Sequence, residues 1–500
     1  MRVFRSSVFA ARARRLELLA AQHSPSLIAM AAISCFVVFS TLALLGAAEL
    51  PHISDDSAAC EFKTVDGICY GTELRKTHFY LAENFTNLNH GSFGTVVRPV
   101  HAAQEEFFVM QESYPDRWFR KQYYDALEVS RQLISDFVGA QSSDVVLVEN
   151  ASSAVNSILR SLDLQKGDKV LRLSTAYGMV TNTLNYLSEI VGIEVLVANV
   201  TYPIADDTQI IGAVTDVLKR HPDVKLCVFS HISSLPAIVE PLTSLVEQVR
   251  SNTNDALILV DGAHAPGQID LNIPSLDVDF YLGNCHKWLY APKGTAFLWV
   301  DEKHTTATFP EPSVISSANA VGSDYDQRYK YTGTRDYTAF ATLPAALEFR
   351  RYLGGEDQIK RYCHQLAVNA GKYLASAWGT TLLVPPQMTA FMVNIVLPST
   401  DATAIKLMQE ELNETYGIYI VYGSVEVTAK TDNHQDPKDN NIPVDGEVAT
   451  KEDTACQKRT VYVTRLSAQV YLDMNDFIEL GRLVPELLRK EEIQKKTAVQ

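Results

Sequence analysis

Positive charge is scarce in this chain. Its 500 residues carry 44 Lys and Arg against 59 Asp and Glu, a net charge of −15, whereas a nucleic-acid binder normally presents a basic face. Internal repeats and coiled-coil heptads are missing, which excludes solenoids and long helical rods. Cysteine is sparse, with seven residues. Cys285 and His286 are neighbours, but two adjacent ligands without further spaced Cys or His make a poor zinc site, so no metal is expected. What is present is ordinary for a globular protein with a sizeable core: 46% hydrophobic and 21% charged residues, enough for two or three domains or for one large α/β unit with a smaller partner.

One stretch lacks charge altogether. Residues 27–48, LIAMAAISCFVVFSTLALLGAA, hold no charged side chain over 22 positions. Arg2, Arg5, Arg12, Arg14 and Arg15 precede it against the single acid Glu17, and Glu49, Asp55, Asp56 and Glu61 follow. About 20 apolar residues cross a bilayer as a helix. The expectation is therefore a basic segment 1–26, a transmembrane helix or signal anchor at 27–48, and a soluble domain on the non-cytoplasmic side, in the secretory pathway. Cleavage after Gly46-Ala47-Ala48 and a mitochondrial presequence ahead of a membrane anchor are the alternatives. In an oxidising lumen Cys60 and Cys69 could pair. Asn-x-Ser/Thr sequons occur at Asn84, Asn150, Asn199 and Asn413.

Residues 49–80 read as a polar linker. Helical patterning runs through roughly 96–138 and stops at Gly139, as at a helix C-terminus. From 145 to about 300, apolar runs (DVVLVEN, KVLRLS, IEVLVANV, VKLCVFS, ALILVD, VDFYLG, TAFLWV) alternate with amphipathic stretches. This predicts an α/β domain at 81–340, built on a mainly parallel seven-stranded sheet flanked by helices. The last two runs are close enough to pair antiparallel. Residues 341–500 read as a smaller α+β domain, with strands in FMVNIVLP, IYIVYG and TVYVTRLS and a helix at 402–415. The polar tract of about 424–460 reads as a disordered loop.

The motif GNCHKWLYAPKG (283–294) puts Lys287 directly after the apolar run 278–282, although Lys is rarely buried without a partner. Asp261 likewise ends the run 256–260 and opens DGAHAPGQ. In parallel α/β sheets ligands bind beyond the carboxyl ends of strands. A lysine and a carboxylate at such ends suit pyridoxal phosphate: the amine forms a Schiff base, and the carboxylate keeps the pyridine nitrogen protonated.

Six motifs in order, LNHGSFG (88–94), ENASSAVN (149–156), DGAHAPGQ (261–268), GNCHKW (283–288), YTGTRD (331–336) and TRLSAQVY (464–471), resemble the class V aminotransferase family of fold-type I pyridoxal-phosphate enzymes. The resemblance runs from about Leu88 to Tyr471 and is nearest to the branch of isopenicillin N epimerase-like proteins and cysteine C–S lyases. It implies Lys287 as the Schiff-base lysine, Asp261 as the pyridine-nitrogen partner and His264 beside the ring's phenolic oxygen. It further implies Ala151 and Ser152 as the phosphate-binding turn, His286 as a second phosphate contact and Tyr177 as the ring stacked on the cofactor. Gly333 and Thr334 match a segment that reaches the neighbouring subunit's phosphate, which implies a homodimer. Arg465 matches the arginine that holds the substrate α-carboxylate, with Asn89 and His90 as further substrate contacts. Cys285 is packing.

The reaction expected from the resemblance is β-elimination by a C–S lyase acting on cysteine or a cysteine conjugate. The alternatives are an epimerase, with His90 or Tyr114 as the second acid, an aminotransferase, a cysteine desulfurase using Cys456, and a non-catalytic relative that keeps only the fold. Asn150 lies in the expected phosphate turn, so glycosylation there would exclude the cofactor.

Overall fold

The computed structural model describes residues 60–306, 309–316, 323–429 and 457–498. The anchor expected at 27–48, the central part of the expected loop (430–456) and Cys456 lie outside the described residues. Among the described residues no helix is long and apolar enough to cross a membrane.

Twelve strands are described. They are β1 (Thr86–Asn87), β2 (Val145–Val148), β3 (Lys169–Leu173), β4 (Glu194–Ala198), β5 (Val224–Ser230), β6 (Leu257–Asp261), β7 (Phe280–Asn284), β8 (Ala296–Val300), β9 (Met392–Val396), β10 (Ile418–Tyr419), β11 (Val421–Ala429) and β12 (Gln457–Ser467). Seven form the main sheet, in the order β2-β8-β7-β6-β5-β3-β4. The alternation of apolar runs with helices therefore yields the expected mainly parallel α/β architecture. β2, β7 and β8 are buried at every position, as strands covered on both faces must be.

The chain falls into two compact units. The first takes the residues up to Tyr80, Phe93–Leu162 and Ala265–Ile359; the second takes Leu81–Ser92, Asp163–His264 and Lys360–Gln500. In the first, β8 runs antiparallel to both β7 and β2, so the tight return anticipated after the lysine motif is present. In the second, β4, β3, β5 and β6 pair in parallel. A separate antiparallel sheet, β11-β12-β9, completes the second unit.

The helical patterning of 96–138 divides into Arg98–Ser113, which ends before Pro115, a five-residue π-helical turn (Trp118–Gln122), and Tyr123–Phe137. Proline can begin a helix but cannot continue one. The helix does end as expected, with Gly139 at φ +69°.

The stretch 49–80, expected to be linker, is ordered from Cys60. A disulfide joins Cys60 to Cys69, a helix spans Thr72–His78, and Phe62, Tyr70, Leu74 and Phe79 are buried. The hairpin is fastened by Val65 N–H to Tyr352 O (2.9 Å) and by Gln358 Nε2 to Lys63 O (2.6 Å). Finally, β11 and β12 occupy both ends of the expected loop, paired from Val421↔Arg465 to Ala429↔Gln457.

Candidate functional site

In the first unit, the loop after β2 opens the helix Ala151–Ser161. Asn150 caps it, with Oδ1 accepting from Ser153 N–H at 2.9 Å. At the end of β7, Asn284 Oδ1 accepts from Ala151 N–H, also at 2.9 Å. One strand end thus braces the other. Of the two residues expected to form the phosphate turn, Ala151 has its N–H committed to Asn284. The Ser152 N–H and the hydroxyls of Ser152 and Ser153 are the donors left at the helix N-terminus. That donor set fits a phosphate, because helix N-termini attract anions through exposed N–H groups and the helix dipole.

Lys287 follows in the short helix Cys285–Trp288 and is half-buried. Gly94 closes over it. A Cβ at Gly94 would stand 1.9 Å from the His286 carbonyl oxygen and 2.9 Å from Lys287 Cα, and its φ is +62°. Only glycine permits that approach. Behind the lysine, the buried Arg350 donates to the carbonyls of Trp288 (2.6 Å) and Gly267 (3.0 Å) and pairs with Glu356 (2.6 Å).

His286 Nδ1 lies 3.1 Å from Thr295 O. A carbonyl can only accept, so Nδ1 carries the proton and Nε2 is an acceptor in the neutral ring. Burial, then the positive charges of Lys287 and Lys293, lower the His286 pKa to about 4. Nε2 would need a proton to donate to a phosphate oxygen. Gly333 and Thr334 lie on a segment tied to its own chain: Thr332 Oγ1 donates to Glu149 (3.4 Å), and Arg335 pairs with Glu149 (3.0 Å). Cys285 is fully buried, and burial pushes its thiol up, so it is packing.

In the second unit, Asp261 ends β6 and is 5% exposed. Its Oδ1 accepts from Ala263 N–H at 3.0 Å. His264, the residue directly after that turn, is buried. Tyr177 stands at the N-terminal boundary of the helix Gly178–Ile190 and is 51% exposed, an aromatic residue suited to stacking on a flat heterocycle.

Arg465, on β12, is 2% exposed. Its Nη1 donates to Ser234 O (2.9 Å) and Ser234 Oγ (3.1 Å); its Nη2 donates to Asn89 Oδ1 (2.5 Å) and Ser92 Oγ (2.8 Å). Nε is buried with no hydrogen-bond acceptor among the described residues. All its acceptors are neutral, and burial lowers its pKa to about 10 even with Tyr177 nearby. The structure therefore brings Arg465 and Asn89 together. His90 turns to Tyr471 instead, with Nδ1 3.1 Å from the hydroxyl. Tyr114 is 60% exposed at the end of its helix in the first unit.

Four contributors were not singled out from the sequence. Asn284 is a polar residue ending a wholly apolar strand, which is the available clue. Ser92 stands within LNHGSFG. Ser234 meets Arg465 across 231 positions, and nothing local marks it. Glu240 is an acid inside the apolar segment AIVEPL and is 3% exposed.

Comparison with known proteins matches this architecture. The Aminotransferase class-V family model matches residues 98–433. The chain is 30% identical to a probable chloroplastic L-cysteine desulfhydrase of Arabidopsis thaliana, over 84% of this chain and 86% of that protein. It is 25% identical to the hercynylcysteine sulfoxide lyase of Schizosaccharomyces pombe, over 83% and 97%. The cystine C–S lyase C-DES, solved with its product cysteine persulfide, shares the fold at a TM-score of 0.62 and 17% identity, over 80% of this chain and 98% of that one. With two thirds of its length matched, this chain belongs to the class-V aminotransferase family.

Proposed function

We propose that the chain is a pyridoxal-phosphate-dependent lyase that breaks the C–S bond of cysteine or a cysteine conjugate by β-elimination. The observation that carries an amino-acid substrate is the buried Arg465 guanidinium. It is held in place by neutral oxygens, with Nε unpartnered among the described residues. A buried charge without a counter-charge is costly, and an amino acid's α-carboxylate supplies one through charge-assisted hydrogen bonds. The choice of a sulfur leaving group is supported by the relatives, whose names are those of desulfhydrases and C–S lyases.

In this reading the Ser152 N–H and the Ser152 and Ser153 hydroxyls hold the cofactor phosphate, Tyr177 stacks on the ring, and Asp261 faces the pyridine nitrogen. When bound, pyridoxal phosphate supplies an electron sink for the pair left on Cα. Arg465 and Asn89 orient the substrate carboxylate. The Lys287 amine removes the Cα proton, and as an ammonium it is then the acid available to the departing sulfur. The Cα–H and Cβ–S bonds break, the sulfur leaves as sulfide or thiol, and hydrolysis of the released enamine gives pyruvate and ammonia.

The reading also takes the chain as a homodimer, with Gly333 and Thr334 turned toward the partner's phosphate site. It is tethered through residues 27–48 with the enzyme on the non-cytoplasmic side. The uncharged stretch supports the tether, and the Cys60–Cys69 disulfide suits an oxidising compartment.

The test is a product assay on the purified chain with pyridoxal phosphate, L-cysteine and several S-substituted cysteines. Pyruvate should appear with an equal amount of sulfide or thiol, and Lys287→Ala should abolish both. A bound cofactor that yields no pyruvate from any of these substrates would overturn the lyase assignment.

A further inference from the structure

The loop between β5 and the helix Leu242–Asn252 supplies two of the acceptors of Arg465, both from Ser234. That loop is braced within itself. Its foot is closed by Glu240 N–H donating to His231 O at 3.0 Å and by a bridge between Ile232 and Val239. Thr175 pins the foot from β3, donating to Glu240 Oε1 at 2.9 Å. Higher up, Ser233 N–H donates to Ile238 O (3.0 Å), and Ser233 Oγ donates to Pro236 O (2.8 Å) and accepts from Ile238 N–H (3.1 Å). Ser234 and Ala237 are left at the tip.

The tip rests on the three-stranded sheet of the second unit. Arg465 on β12 and Asn394 on β9 stand directly opposite each other, so their side chains leave the same face. Arg465 Nη1 reaches Ser234, at 2.9 Å to its carbonyl and 3.1 Å to its hydroxyl. Asn394, 1% exposed, meets Ala237 twice: its Oδ1 accepts from Ala237 N–H at 2.8 Å, and its Nδ2 donates to Ala237 O at 2.6 Å. Such a double exchange is the bonding of an antiparallel ladder pair, and it fixes tilt as well as position. On the other flank Leu235 lies against β11, where a Cβ at Gly423 would stand 2.9 Å from Leu235 Cδ2.

The loop decides which edge of the guanidinium is offered. Ser234 holds Nη1, Asn89 and Ser92 hold Nη2, and Nε has no acceptor among the described residues. Nε and Nη2 share one edge of the rigid fork, and a carboxylate matches such an edge with its two oxygens. An anion there adds the bond Nε lacks and takes over one from Nη2. We infer that Asn394 is a positioning residue for the substrate carboxylate, an assignment that rests on the reading of Arg465 as the seat of that group. Asn394 fixes the Ser234 loop on the sheet, and the loop holds Nη1 so that the Nε–Nη2 edge meets the anion.

Asn394→Ala removes both bonds to Ala237. With pyridoxal phosphate bound, its KM for L-cysteine should rise about tenfold while kcat changes by less than about twofold. L-cysteine methyl ester has no carboxylate to seat, so its kcat/KM should differ by less than about twofold between variant and wild type. In an Arg465→Met background the same substitution should add nothing to KM, because the group it positions is gone. The cofactor-free chain gives a readout that needs no turnover. Propionate, a carboxylate without an amine, should raise the melting temperature of the wild type by more than that of Asn394→Ala.

Equal losses on acid and ester would overturn the positioning role and leave the lyase reading intact, as would a further rise of KM in the Arg465→Met background. A wild type that uses acid and ester alike would overturn the Arg465 seat and the inference with it. If the wild type makes no pyruvate from L-cysteine, the lyase reading fails and the propionate comparison decides alone: equal shifts overturn the role of Asn394. If Asn394→Ala does not fold, Asn394→Gln carries the test. It keeps both bonding groups but moves them by one methylene, so a smaller rise in KM, about threefold, should again be confined to the acid; a rise shared by the ester, or none, overturns the inference.

Discussion

The chain has two places suited to an anion, and they are built on opposite terms. At the Ala151 turn the donors are a backbone N–H and small hydroxyls at a helix N-terminus, a site made of partial charges. At Arg465 the donor is a whole guanidinium with its positive charge buried among Ser234, Asn89 and Ser92. The first costs little to keep desolvated, so it suits a resident group. The second is costly until an anion arrives, so it suits a ligand that comes and goes.

The comparison breaks most visibly at Arg465. Replacement by Met should lower kcat/KM for an amino-acid substrate by about 100- to 1000-fold, chiefly through KM. The melting temperature of the cofactor-free chain should stay the same or rise, because an uncompensated buried charge is removed. Initial rates and a thermal scan check both. Loss of stability equal to a cored residue would mean that the guanidinium is structural.

Acid provides the next test. His286 is held neutral with a pKa of about 4, below its value of about 6.5 in an unfolded chain. The unfolded state therefore binds more protons between those values. Its contribution is complete above pH 6.5 and is lost as pH falls toward 4, by up to about 3 kcal/mol. Denaturant titrations at pH 7 and pH 4.5 should show the decline, and His286→Asn should reduce it.

Asn284→Ala should weaken the neutral anion site without touching charge. Releasing the Ala151 N–H should destabilise the chain by about 1–2 kcal/mol and loosen pyridoxal phosphate binding by about tenfold, measured by cofactor titration. The smallest effect belongs to Asn150→Ala. Loss of the N-cap should cost about 1 kcal/mol, seen as a melting shift of a few degrees. The Asn150 side chain is already occupied by Ser153 N–H, so mass spectrometry of a secreted form should find it unglycosylated.

What could be read in advance follows from the range of the forces involved. Lys287 and Asp261 stood out because each terminates a run of buried side chains, a pattern confined to a few residues. The resemblance of six ordered motifs added Arg465 and the Ala151 turn. The hydrogen bonds that make these residues work were hidden, because Ser234 and Asn89 reach Arg465 across 231 and 376 positions. The ends of β11 and β12 were read as loop for another reason. Glu426, Lys458 and Arg459 are exposed, so pairing rather than burial defines those strands. The hairpin at 60–80 escaped notice because its apolar residues follow neither helical nor strand spacing. Glu240 escaped because acids normally sit in water.

Gly94 has a consequence for anyone scoring this protein by mutational scanning. Any side chain there would drive the loop into the His286 carbonyl and displace the backbone that bears Lys287. A survey ranked by activity alone would place Gly94 beside the lysine, and a survey ranked by abundance would not. The gap between those two rankings, at a position with no side chain to react, would trace the part of the scaffold that aims the amine.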